Sequence, residues 1–206
     1  RKGTNTMLLT IDIGNTNMVF GIFKGEEMLG SFRLSTNSTA TSDEVGIMAV
    51  SYFERFGYRA EDLKACIIGS VVPQVMYSVT SAVIKYFGVE PLVVGTDVDA
   101  GLKFDRRCYE TGRLGTDRAV NCTAAIKKYG GPFVILDFGT ATTIDAVGPD
   151  GTYMGRACRS VWMRWSPGQP CCREWNCKCP RRFLAETRWS RSRLAWWLGM
   201  WAIWNT

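Results

Sequence analysis

Histidine is absent from all 206 residues, which removes every mechanism that needs an imidazole as base, nucleophile or metal ligand. Carboxylates, hydroxyls and backbone amides must carry the chemistry. Proline is scarce at 7 residues, and no stretch approaches the roughly 20 continuous apolar residues of a membrane-spanning helix. The first residues, Arg1 to Thr6, lack the apolar run of a signal peptide. A cytoplasmic protein with no membrane partner is therefore expected. With 46% apolar and 21% charged residues, the composition suits one globular domain or two small ones, and it excludes disorder and collagen-like repeats.

Tryptophan is missing from most of the chain: all 8 lie between Trp162 and Trp204, together with five of the 8 cysteines (Cys158, Cys171, Cys172, Cys177 and Cys179). Charge breaks at the same place. Residues 1–155 carry a net −2 and residues 156–206 a net +8, so the overall +6 belongs to the tail. A basic nucleic-acid binder is not implied, because the positive charge is not spread over the globular part.

Strand-forming runs at Leu8 to Ile13 and Met18 to Phe23 flank the polar tip Gly14-Asn15-Thr16-Asn17 and predict a hairpin. A third strand, Met28 to Leu34, completes an antiparallel meander. Thr41-Ser42-Asp43-Glu44 fits a capping box, and Val45, Met48, Tyr52 and Phe53 recur at helical spacing until Gly57. A strand at Ala65 to Val72, a helix from about Gln74 to Phe87 closed by Gly88, and a strand at Leu92 to Gly95 follow. Strands alternating with helices after a meander imply a mixed sheet covered by helices, an α/β fold. Asp97 to Leu114 reads as a functional loop, Thr116 to Tyr129 as a helix, and Phe133 to Phe138 and Thr143 to Val147 as a second hairpin with its tip at Gly139-Thr140-Ala141-Thr142.

The two tips match. Asp12-Ile13-Gly14-Asn15-Thr16-Asn17 and Asp137-Phe138-Gly139-Thr140-Ala141-Thr142 share one pattern at a domain-sized offset, which implies two like domains. Glycine lets backbone amides approach a phosphate, Thr and Asn add neutral donors, and an Asp holds a cation that bridges to it. Two such corners facing one cleft would clamp a polyphosphate. The competing reading is a pair of Asx turns, which the duplication disfavours.

Asp12 to Thr16, Tyr109 with Leu114-Gly115-Thr116-Asp117-Arg118, and Asp137 to Asp145 together resemble the three signature segments of type III pantothenate kinases, in order and in spacing. The resemblance runs from Met7 to about Gly155. It implies an α/β fold of two ribonuclease H-like (actin-like ATPase) domains around an ATP cleft, with the second domain incomplete. The corresponding divisions are 7–130, 131–155 and a tail at 156–206. The resemblance further implies that Asp12, Ile13, Gly14, Asn15, Thr16, Asn17, Met18 and Val19 form the first phosphate loop, with Asp12 near magnesium. Thr140 would contact ATP, and Asp137 would bind the potassium or ammonium ion. Tyr109, Gly115, Thr116, Asp117 and Arg118 would bind pantothenate, with Asp117 taking the proton of its primary hydroxyl and Arg118 pairing with its carboxylate. A homodimer is implied as well.

Independently of the family, an Asp opening a helix reads as an N-cap, and a helix N-terminus favours an ionised carboxylate beside an attacking hydroxyl. For Arg118 the plain alternative is a surface salt bridge, and for Asp145 a strand cap or a group near the metal. Gly112 stands where the family usually has proline. After Gly155 the match ends. The Arg-, Trp-, Cys- and Ser-rich text from Arg156 reads as out-of-frame, and little pantothenate-dependent ADP release is expected of this chain. Cys171-Cys172 and Cys177-x-Cys179 poorly match structural zinc spacing, and Leu194 to Trp204 lacks the polar face of a membrane-surface helix. A non-catalytic transcriptional accessory factor of the same fold is the alternative function, and Asp117 favours the enzyme. A sugar or acetate kinase is a third, disfavoured by Tyr109 and Gly115 to Arg118.

Overall fold

The computed structural model describes residues 6–95, 97, 99–104, 114–138 and 142–156. The predicted meander is present as β1 (Met7–Ile13), β2 (Asn17–Lys24) and β3 (Glu27–Ser35), each antiparallel to the next. On the other side of β1 lies β4 (Leu63–Ser70), in parallel, followed by the short β5 (Leu92–Val93). The sheet order β3-β2-β1-β4-β5 places β1 at the centre, buried on both faces. This mixed, centre-out order is that of a ribonuclease H-like domain.

Two helices cover one face. The first, α1 (Ser42–Arg55), opens on the expected capping box: the Glu44 amide donates to Thr41 Oγ1 at 3.2 Å and the Thr41 amide to Glu44 Oε2 at 2.7 Å. Thr41→Ala removes one half of this reciprocal pair and is expected to cost about 1 kcal/mol, measured by urea unfolding. The second, α2 (Met76–Phe87), follows a short 3-10 turn at Pro73–Val75 and stops at Gly88, whose φ of +67° is a left-handed cap open to glycine. The alternation of β1 divides its side chains between two cores. Leu9, Ile11 and Ile13 pack with Val45, Phe53, Val79 and Phe87 under these helices, whereas Leu8 packs on the opposite face with Ile67 and Val120.

Val120 belongs to α3 (Thr116–Tyr129), at the bounds that the sequence predicts. A second sheet follows in the order β6-β9-β8-β7, made of β6 (Lys103–Phe104), β7 (Phe133–Phe138), β8 (Thr142–Val147) and β9 (Thr152–Arg156). The strand β6 was not foreseen within the expected loop, and although it precedes residue 130 it pairs with β9. Helix α3 is packed between the sheets: Val120 joins the first core, Cys122 joins Val147 and Tyr153 in the second, and Ala119 touches both. Phe133 and Ile135 of β7 face this core, while Val134, Leu136 and Phe138 on its other face are exposed. Cys66 and Cys122 are buried free thiols.

Candidate active site

The first tip is built as a closed corner. The Gly14 amide donates to the Asn17 carbonyl at 3.1 Å, Thr36 Oγ1 donates to the Gly14 carbonyl at 2.7 Å, and the Thr36 amide donates to the Thr16 carbonyl at 3.0 Å. From the neighbouring strand end, the Val71 amide donates to the Ile13 carbonyl at 3.1 Å. The Gly14 amide is thus already committed, and the groups that the corner presents to solvent are those of Asn15 and Thr16, both exposed. Ile13 and Met18 of the expected phosphate loop are core side chains, 0% and 2% exposed. They shape the loop and leave only backbone to a ligand.

Asp12 shares its face of β1 with Leu8 and Thr10, the face that α3 covers. Its carboxyl is pushed up to about 8, first by burial and then by the negative charges of Asp117 and Asp137. Asp117 of α3 and Asp137 of β7 thus both lie within electrostatic reach of Asp12 on β1. The ladder adds Thr143, which stands directly opposite Asp137 in the β7–β8 register and whose buried Oγ1 has no hydrogen-bond partner among the described residues.

The cap of α3 departs from expectation. Gly115 is the N-cap residue, with no side-chain cap, and Asp117 sits inside the first turn. Burial raises the Asp117 carboxyl above the usual carboxylate range, against the pull of the Arg118 amide and guanidinium. Desolvation therefore outweighs the helix terminus, the reverse of what the sequence suggests. A Cβ built on Gly115 would lie 2.5 Å from Asp117 Oδ1, while the φ of −61° suits any residue. Gly115→Ala must therefore displace the carboxylate rather than the backbone. The expected outcome is a turnover lowered on the order of 10-fold with the melting temperature nearly unchanged, checked by steady-state kinetics beside calorimetry.

Arg118 makes no surface salt bridge. It is 6% exposed, with Nε donating to Asp145 Oδ2 at 3.1 Å and a terminal nitrogen to Asp145 Oδ1, and its guanidinium is held in the seam between α3 and the second sheet. The expected reach to a substrate carboxylate has no support in this placement, because the guanidinium is buried against a protein carboxylate. Asp145, expected to be a strand cap or a group near the metal, is that partner. Sequence reasoning missed Tyr153, which completes the cluster. Tyr109, Gly139, Thr140, Gly112 and the residues after 156 lie outside the described residues.

Among the described residues no three acidic or thiol side chains form a ready-made metal cage. The donor set still fits a magnesium ion, which keeps several waters and takes one or two carboxylates beside substrate phosphates. A buried carboxylate under the negative charge of two others is the pattern that a cation relieves.

A central strand and a second hairpin, each with an Asp next to its tip, and an Asp in the first turn of α3 define a ribonuclease H-like α/β fold with carboxylates on three elements. The chain belongs to the type III pantothenate kinase family, whose profile matches residues 8–158. It is 44% identical over 146 residues to the type III pantothenate kinase of Bifidobacterium longum subsp. infantis, covering 71% of this chain and 56% of that protein. Against the enzyme of the same name from Agathobacter rectalis it is 40% identical over 149 residues, covering 72% and 56%. The chain thus spans 56% of the length of these relatives. A ROK hexokinase structure from Thermus thermophilus aligns with a TM-score of 0.43 at 13% identity, over 72% of this chain and 48% of that one, too distant to speak to fold or substrate.

Proposed function

We propose that the chain carries the phosphate corner and the general base of an ATP-dependent pantothenate kinase, which forms 4'-phosphopantothenate at the start of coenzyme A synthesis. The observation that carries this reading is the family match over residues 8–158, to a family named for that reaction, and the electrostatic reach of Asp117 and Asp137 to Asp12 is in keeping with it. Phosphoryl transfer runs through a loose transition state, so positioning and charge neutralisation matter more than base strength. In this reading Asn15 and Thr16 face the phosphates, with Thr140 completing the second corner. Asp12 holds magnesium, which when bound neutralises charge on the phosphates. Asp117 orients the acceptor hydroxyl and takes its proton, and burial, by raising its carboxyl, makes it a stronger base than an exposed carboxylate. Tyr109, Gly115 and Thr116 line the acceptor side.

A potassium or ammonium ion at Asp137 belongs to the same proposal and is supported by the partnerless Thr143 Oγ1 opposite it. The homodimer, the cytoplasmic location and the division of the chain near residue 130 rest on family membership. Among the described residues no helix is long and apolar enough to cross a membrane.

Because little turnover is expected of a chain whose match to the family ends near Gly155, the test is the sensitive one of mass-spectrometric detection of 4'-phosphopantothenate after prolonged incubation of the 206-residue chain with ATP, magnesium, potassium and pantothenate. Product that requires all four supports the assignment. ATP turnover that is indifferent to pantothenate, or that responds instead to acetate or a hexose, overturns it.

A further inference from the structure

The first turn of α3 carries two charged residues with different surroundings. Consecutive helical side chains diverge by about 100°, so Asp117 points away from Arg118, which enters the seam against β8 and β9. There the three side chains close a triangle. Arg118 grips both oxygens of Asp145 as a fork, its terminal nitrogen also donates to the Tyr153 hydroxyl at 3.2 Å, and that hydroxyl donates to Asp145 Oδ1 at 2.8 Å. Arg118, Asp145 and Tyr153 are 6%, 1% and 0% exposed.

Stability alone does not account for such a cluster. A buried ion pair is often matched or bettered by apolar residues of similar volume, because desolvation offsets the attraction. The seam around it is already apolar, lined by Val147, Cys122 and Phe104, and three more apolar side chains would hold α3 there equally well. A two-pronged guanidinium–carboxylate contact adds a fixed rotation of the helix's first turn, which a greasy contact leaves free. It also places a positive charge one residue from the base.

The fork's anchor is well sited. Asp145 is two residues along β8 from Thr143, which pairs with Asp137, so the triangle ties α3 to the strand pair that carries the second acidic corner. We infer that Asp145 and Tyr153 are positioning residues for phosphoryl transfer, holding Arg118 and through it the Asp117 carboxylate in fixed register with the acidic corners of both sheets. This rests on the reading of Asp117 as the base.

The charged and titratable groups that act on Asp117 are Arg118 from its own turn, Asp12 from β1 and Asp145 from β8. Cys122 and Tyr153 face Arg118 and Asp145 from behind. The attraction of Arg118 outweighs the repulsion of Asp145.

The decisive measurement is a carbon-13 carboxyl NMR titration of Asp117 in the full 206-residue chain, its signal assigned by loss in Asp117→Asn. Single changes that strand one buried charge threaten folding. The principal variant is therefore the neutral pair Arg118→Gln with Asp145→Asn, which keeps shape and hydrogen-bonding capacity. Its Asp117 midpoint is expected to rise by about one pH unit, while Tyr153→Phe, which keeps both charges, leaves it in place. In turnover assays each variant is expected to lower kcat about tenfold with the pantothenate KM changed less than twofold. An unmoved midpoint in the neutral pair reduces the triangle to a structural staple and overturns the inference. A KM rise with kcat retained also overturns it, by making Arg118 a substrate-binding group. If Asp117→Asn leaves turnover intact, the reading of the base fails separately, since the titration reports the coupling whether or not Asp117 catalyses.

Discussion

Asp117→Asn is expected to lower pantothenate-dependent turnover by about 10²- to 10⁴-fold while leaving the KM for ATP within about twofold. The asymmetry follows from where the groups sit. Asp117 lies in the first turn of α3, whereas the proposed ATP contacts lie on the β1–β2 tip and on the tip between β7 and β8. Asparagine keeps the shape and can still accept a hydrogen bond from its own turn, but it cannot take a proton. It also removes one of the two charges that repel Asp12, so nucleotide binding is held or slightly tightened. The pH profile gives a second readout. Burial raises the Asp117 carboxyl, so the acid limb of kcat/KM for the parent lies above the ordinary carboxylate range, and the variant loses that limb. Equal losses in turnover and ATP affinity would show that Asp117 holds the cleft together instead of acting on the acceptor.

The parts of this architecture that the sequence announces are those set by local signals. The Thr41–Glu44 box, the glycine stops and the apolar run Met7–Ile13 each depend on neighbours a few residues away, and α3 falls on its predicted bounds. The first Asp-x-Gly corner is legible for the same reason, since its pattern is contiguous, while the tip of the second lies outside the described residues. What escaped depends on contacts between distant elements. Arg118 finds Asp145 27 residues on and Tyr153 35 residues on, and no spacing rule connects a helix's first turn to two strands of a later sheet. The two-residue pairing of β6 with β9 is too short to leave a periodic trace. The direction in which the Asp117 carboxyl shifts escapes the sequence because helix-terminus logic treats the turn as solvated. Here α3 lies between two sheets, and burial reverses the sign.

That burial also sets the second large effect, a stability that depends on pH and on magnesium through Asp12. Its carboxyl moves from an ordinary 3.8 to about 8 on folding. A carboxyl raised in this way favours the folded state fully below about pH 4, where both states are protonated, and that contribution is lost as pH rises to 8, because the unfolded chain ionises freely and the folded one resists. The full span corresponds to up to about 6 kcal/mol. The metal-free protein should therefore melt at lower temperature at pH 8 than at pH 5. Magnesium should reverse the trend: it competes with a proton at pH 5 and meets an unfavourable anion at pH 8, so its stabilisation grows with pH. Asp12→Asn separates this group from every other that titrates. Differential scanning calorimetry at pH 5 and pH 8, with and without millimolar magnesium, is expected to show a flatter pH response in the variant and little gain from the ion. A variant that keeps the parent's pH slope and its magnesium gain would place the strained charge, and the cation it calls for, at some other residue.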